Sequence, residues 1–136
     1  MRFDTKIAIV VRDDLDTWQK LNVTAFLAAA VAAGADGVIG EPYEDASGQK
    51  YLAMFAQPVL VFRASAEQLA LAYGRAVARD LRLAIFTEEL FETDNDVDNR
   101  AAVAAVPSGE LRLVGLSLHH DRRVVDKVLN GLRLHP

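Results

Sequence analysis

Between Ile7 and Val11 the chain reads IAIVV, an apolar run without polar alternation in which four of five residues are β-branched. This is the pattern of an inner strand covered on both faces. Arg12, Asp13, Asp14 and Asp16 follow directly and mark the strand's end. Asp16 or Thr17 can then cap the free amides of a helix. Trp18, Leu21, Ala25, Ala28 and Ala32 follow helical spacing along it, while Val23, Phe26, Leu27, Ala30 and Val31 form a second apolar face. A helix apolar on both faces is expected to be largely buried. Its alanines would let it approach the sheet closely, and Gly34 supplies its stop.

Ala35 to Lys50 carries Gly37, Gly40, Pro42 and Gly48. It reads as a loop, with a short extended piece at Val38 and Ile39 and a turn at Ser47-Gly48. Tyr51 to Phe62 is extended but broken at Pro58, which leaves Val59 to Arg63 as the better strand. Ser65, with Glu67 and Gln68 nearby, opens a second helix over Ala66 to Arg79, whose buried stripe is Leu69, Ala72, Tyr73 and Ala76. Leu81 to Thr87 is a third strand. The acidic stretch from Glu88 to Asn99 then leads into a short helix over Arg100 to Ala105. After the turn at Pro107-Ser108-Gly109 comes a fourth strand, Leu111 to His119. Asp121 caps a last helix, Arg122 to Asn130, which Gly131 ends. Strand and helix alternate four times, which predicts an α/β fold: a three-layer α/β/α arrangement around a four-stranded, mostly parallel sheet. No repeat or linker interrupts the pattern, so residues 1–136 are expected to form a single domain.

Composition narrows the function classes. Fifteen basic residues against nineteen acidic ones give a net charge of −4, so nucleic acid is not expected as a partner. The chain has no cysteine, which excludes disulfides, thiolate zinc sites and a cysteine nucleophile. The opening MRFDTK leads straight into strand without a secretory pattern. The longest apolar stretch, Val23 to Gly34, is too short to span a bilayer. A cytoplasmic protein that avoids membranes is expected.

Ligands of open α/β sheets bind at the carboxyl ends of the strands. In a mostly parallel sheet these ends gather Arg12-Asp13-Asp14, Arg63, Thr87-Glu88-Glu89 and His119-His120-Asp121. The carboxylates of Asp13, Asp14 and Asp16 suit a hard cation or a base, although acidic residues at a helix start more often complement its dipole. Arg12 ends a buried strand and needs either a neighbouring carboxylate or an anionic ligand. Asn22 and Thr24 interrupt an apolar helix, either to face a pocket or to bond to the preceding turn. Glu88, Glu89, Glu92 and Asp94 read as a solvated acidic face. His119 and His120 are adjacent on a strand and point to opposite faces, so the pair does not chelate one ion. No metal and no cofactor is expected. The nucleophile-elbow, Walker and dinucleotide-binding signatures are all absent.

VVRDDL at Val10 to Leu15, followed by a small-residue helix, resembles the opening of the peptidyl-tRNA hydrolase II family. That family opens with valine-valine-arginine, any residue, then aspartate-leucine at a strand end. The resemblance implies a four-stranded mixed sheet with one strand antiparallel, between helices. The whole chain looks closer still to an uncharacterised bacterial family with this fold and no established activity. The carriers of that likeness are VVRDDL, LRLAIFTEELFET and LVGLSLHHDRRVVDKVLNGLRLHP. Arg12, Asp14 and Leu15 match the hydrolase pattern. Its helix lysine, glutamine and histidine, however, fall on Leu21, Ala25 and Ala28, and Lys20 replaces the lysine only after a one-residue shift. The hydrolases' aspartate-alanine-glycine-arginine-threonine segment has no counterpart in TEELFETD. What would activate water or hold an oxyanion is missing from this helix.

The expected function is therefore non-hydrolytic small-molecule binding or regulation by a homodimer. An anionic ligand would be held by Arg12, Asp13, Lys20, Asn22, Thr87, Glu88 and His119 around the first helix's N-terminus. The alternative is a hydrolase that pairs His119 or His120 with Asp13 or Glu88, or one that retains residual peptidyl-tRNA cleavage.

Overall fold

A computed structural model describes residues 2–136. The first strand, β1 (Thr5–Arg12), leads into α1 (Thr17–Gly34), where the Gln19 side chain accepts from the Asp16 amide at 3.0 Å and fixes the first turn. A small hairpin follows, β2 (Tyr43–Glu44) and β3 (Lys50–Tyr51). The Asp45 carboxylate closes it by accepting from the amides of Ser47 and Gln49. Gly48 turns it at φ 84°, as the Ser47-Gly48 signal predicts. Then come β4 (Val59–Ala64), α2 (Ala66–Ala78) and β5 (Ala84–Thr87). A single 3-10 turn at Glu88–Phe91 precedes α3 (Asp96–Ala104), and another at Ser108–Glu110 precedes β6 (Leu113–Asp121). The chain closes with α4 (Arg122–Val128), capped by Asp121, and β7 (Arg133–Leu134).

The main sheet has five strands in the order β5-β6-β1-β4-β7, one more than the four predicted. The fifth is the final segment: β7 pairs antiparallel with β4, and the His135 amide donates to the Val61 carbonyl at 2.8 Å. The predicted mostly parallel sheet is corrected as well. Only β1 and β4 are parallel neighbours, whereas β6 runs antiparallel to both β1 and β5. The alternation misled because the third helix is not a crossover. With no buried residue, α3 packs against the 3-10 turn before it rather than across the sheet, so β5 and β6 become antiparallel neighbours.

Alternate side chains of β1 feed two cores. Ala8 and Val10 pack with Leu69, Ala72 and Ala76 of α2 and with Val125 and Val128 of α4. Ile9 and Val11 pack with Val23 and Leu27 of α1. The expectation of a largely buried α1 does not hold, since only Val23, Leu27 and Val31 are buried. Its close approach to the sheet comes from the other side. At Gly115 of β6 an added Cβ would sit 2.7 Å from Val23 Cγ1, 2.9 Å from Leu27 Cδ1 and 3.0 Å from the Val10 carbonyl oxygen. The Ser117 hydroxyl reinforces the contact by donating to the Leu27 carbonyl at 3.0 Å.

Gly115→Ala is expected to lower stability by about 1–3 kcal/mol through overpacking. Gly74 of α2 is exposed and has nothing within 4 Å of an added Cβ, so Gly74→Ala is expected to raise stability by about 0.5–1 kcal/mol. Urea unfolding of the two variants beside the wild type checks both signs.

Candidate functional site

The direction of β6 divides the anticipated site residues between opposite ends of the sheet. Arg12, Asp13, Thr87 and Glu88 lie where β1 and β5 finish. His119 pairs with Ile7 and His120 with Lys6, so both sit where β1 begins. Five residues of extended chain from Ile7 to Arg12 place about 16 Å between the two ends. Neither imidazole comes within hydrogen-bond reach of Asp13 or Glu88. The gathering of His119 and His120 with Arg12 is thereby corrected, and the physical reason is the antiparallel strand.

At the Arg12 end the charges are already matched. Arg12 Nε donates to Asp14 at 2.6 Å, and one terminal nitrogen donates to Glu88 at 2.8 Å and to the Leu113 carbonyl at 3.3 Å. Arg112 reaches the second oxygen of Glu88 at 3.5 Å and Glu89 at 2.9 Å. Burial opposes the charge of Arg12, but the bonds to Asp14 and Glu88 outweigh it and raise its pKa. The Glu89 carboxyl lies below its ordinary range, first through a backbone amide bond and then through Arg112. This alternating row of acids and guanidiniums ties the end of β1 to the turn after β5. It engages Nε and one terminal nitrogen of Arg12. The Asp13 side chain is exposed, while its amide donates to the Ala64 carbonyl at 2.9 Å. The Thr87 hydroxyl is buried without a hydrogen-bond partner among the described residues.

The remaining candidates scatter. The Lys20 ammonium lies 3.2 Å from His135 Nε2 of the terminal segment. Asn22 is exposed on α1, and the Thr24 hydroxyl donates to the Lys20 carbonyl at 2.8 Å, the second of the two roles open to it.

His119 and His120 border a concavity. A cleft of about 620 Å³ opens between the C-terminal end of α1, the segment entering β5 and the last residues of β6. Ala30, Val31, Leu83 and Ala84 give it an apolar wall, and Asp36, Asp80, Arg82, Ser117 and the two histidines supply polar groups. Arg82 touches the Gly34 carbonyl at 3.5 Å, a long contact that leaves most of its donors free. Among the described residues Asp36, Asp80 and Arg82 form no ion pair. Asp80 has φ 54°, because it ends α2 in the left-handed position usually filled by glycine. There its amide bonds to the Val77 carbonyl and that of Leu81 to Ala76. Burial, followed by the charge of His120, lowers the His119 pKa below the ordinary 6.5. Sequence reasoning missed Asp36, Asp80 and Arg82. The one available signal was the polar Arg82 between Leu81 and Leu83. Among the described residues no group of three or more acidic or histidine side chains is placed to hold a metal ion, and no helix is long and apolar enough to cross a membrane.

Comparison with known proteins finds a family model and solved structures that match. A family model described as a protein of unknown function (DUF2000) matches residues 5–136. A solved structure of the protein of unknown function Atu0240 from Agrobacterium tumefaciens strain C58 is 41% identical. It superposes with a TM-score of 0.96 over 99% of this chain and 100% of that one. No curated protein matches.

Arg12→Met removes both charge-assisted bonds and is expected to cost about 1–3 kcal/mol, measured by urea unfolding at neutral pH. For His119 the sign is acidic. With its pKa lowered in the fold, the unfolded chain takes up this proton first, so stability falls as pH drops through and below the ordinary histidine range. His119→Asn is expected to flatten that fall, read from urea midpoints across about pH 7 to 5. An unchanged slope would place the acid sensitivity elsewhere.

Proposed function

The chain belongs to the DUF2000 family of proteins of unknown function, and from that premise we propose that it is a non-hydrolytic, small-molecule-binding or regulatory domain. Its ligand occupies the cleft beside His119 rather than the Arg12 end. The observation that carries this reading is the cleft itself. Its volume of about 620 Å³ falls within the range of roughly 300–1,000 Å³ typical of ligand pockets. It also combines an apolar wall with Asp36, Asp80 and Arg82, which form no ion pair among the described residues. The Arg82 guanidinium suits an anionic group such as a carboxylate. The negative end of the α1 dipole, with Asp36 nearby, suits hydrogen-bond donors or a positive charge on the same ligand. A small zwitterion or carboxylate with an apolar flank fits both. His119, biased towards its neutral form, adds a hydrogen-bonding group without a fixed charge.

The fold reads as peptidyl-tRNA hydrolase II-like. In support, β1, β4 and β5 share one direction and β6 alone among the four long strands opposes them. The activity is not carried with it, since Leu21, Ala25 and Ala28 stand where that family has its lysine, glutamine and histidine. A hydrolase built from His119 with Asp13 or Glu88 has no geometric support, as the two groups lie at opposite ends of β1.

Amide chemical-shift mapping of the labelled protein against small amino acids and carboxylates tests the reading. Saturable shifts are expected at Asp36, Arg82 and His119, and Arg82→Gln is expected to weaken binding about tenfold, as for the loss of one charge-assisted contact. Shifts that gather at Arg12 and Glu88 instead, or no shift with any probe, would sink it.

A further inference from the structure

The outer face of α1 is the largest departure from what the sequence leads one to expect. The helix is apolar round most of its circumference, and Lys20 is its one charged residue. Such a helix belongs in an interior, yet the fold covers only one side of it. Trp18, Leu21 and Phe26 keep 58%, 68% and 53% of their surface in water, on the order of 400 Å² for side chains of this size. Ala25, Ala29 and Ala33 are exposed between and beyond them. The aromatic rings are held in place: Trp18 packs edge-on against Phe91, Phe91 against Phe86, and Phe86 against Phe26, with centroids 5.1–5.8 Å apart.

We propose that this face is a homodimer interface, in which α1 packs antiparallel against α1 of a second copy about a two-fold axis at Ala25. The distribution of side-chain size identifies the occupant. Along the midline of the outer face the large Trp18 and Leu21 precede Ala25 and the small Ala29, Ala32 and Ala33 follow it, while Phe26 lies further round the helix against Phe86. An antiparallel copy sets large against small in both directions at once. Leu21 meets the partner's Ala29, Trp18 meets the partner's Ala32, and Ala25 meets itself. This is the self-complementarity that a two-fold interface requires, and a parallel or unrelated partner would not use it. Segment 38–56 packs along the flank of α1 through Val38 and Phe55, and Ile39, Leu52 and Met54 on it are 43%, 89% and 58% exposed. The exposed side chains of α1 supply about half of the roughly 800 Å² per partner of a stable interface, and the neighbouring segment offers apolar surface of similar size. A lipid surface fits less well, because α1 lacks the basic flanks of interfacial helices.

The absence of cysteine makes single-cysteine cross-linking unambiguous. Ala25→Cys is expected to form a disulfide-linked dimer under mild oxidation. Glu67→Cys, exposed on α2 at the opposite face of the sheet, is expected not to. Wild-type protein is expected to sediment as a dimer at roughly 100 µM and to show a midpoint of thermal unfolding that rises with concentration. Ala29→Glu, a change at an exposed position, is expected to sediment as a monomer with an unaltered circular-dichroism spectrum. A monomeric wild type, a dimer that survives Ala29→Glu, or equal cross-linking of the two cysteine variants would each overturn the proposal.

Discussion

The antiparallel insertion of β6 between β1 and β5 is the constraint on which the rest of the molecule depends. It places Gly115 under α1, where the missing side chain lets Val23 and Leu27 descend to the Val10 backbone. It brings Leu113 and Arg112 to the end of β1, where the Leu113 carbonyl and the Arg112 guanidinium complete the charged latch around Arg12 and Glu88. It carries His119 and Ser117 to the other end, where they line the cleft. Reversing that one strand would dissolve all three arrangements.

The two ends of the sheet consequently differ in kind. At the Arg12 end each formal charge of the latch has an opposite partner within 4 Å. The largely shielded Arg12 is already oriented against Asp14 and Glu88, so a ligand competing for the same nitrogens would have to displace a bonded carboxylate. At the cleft end the polar groups have no such partners, and an apolar wall stands beside them. Free donors and acceptors next to apolar surface are what a ligand can exploit without first breaking the fold.

What the sequence made legible follows from what periodicity encodes. Strand β1, helices α1, α2 and α4, the Ser47-Gly48 turn and the Asp121 cap were all readable, because each rests on local pattern or local capping chemistry. Strand direction is not local. The antiparallel β6 depends on α3 failing to cross the sheet, and that in turn depends on α3 burying nothing. The pairing of β7 with β4 escaped notice because two residues carry no period. The charged latch was half readable: a buried strand end with Arg12 demands a carboxylate, and acids lay nearby, but the choice of Glu88 and the help of Arg112 are tertiary. The cleft was not readable. Its polar residues come from a helix end, a helix cap and a strand end, and they share no spacing in the chain.

The alanines of α1 require a different account from the one their number first suggests. Ala28 packs on the core beside the inward Val23 and Leu27, but Ala25, Ala29 and Ala33 are exposed, and Gly115 provides the room for close approach. High helix propensity does not explain them either. Lysine, glutamate and glutamine are nearly as favourable in a helix and are the usual occupants of water-facing positions. At Ala25, Ala29 and Ala33 the chain keeps small apolar residues in water, while Trp18 and Leu21 stand proud at one end of the same face. Neither packing within the monomer nor helix formation accounts for that division of sizes. The antiparallel α1 pairing proposed above would account for it.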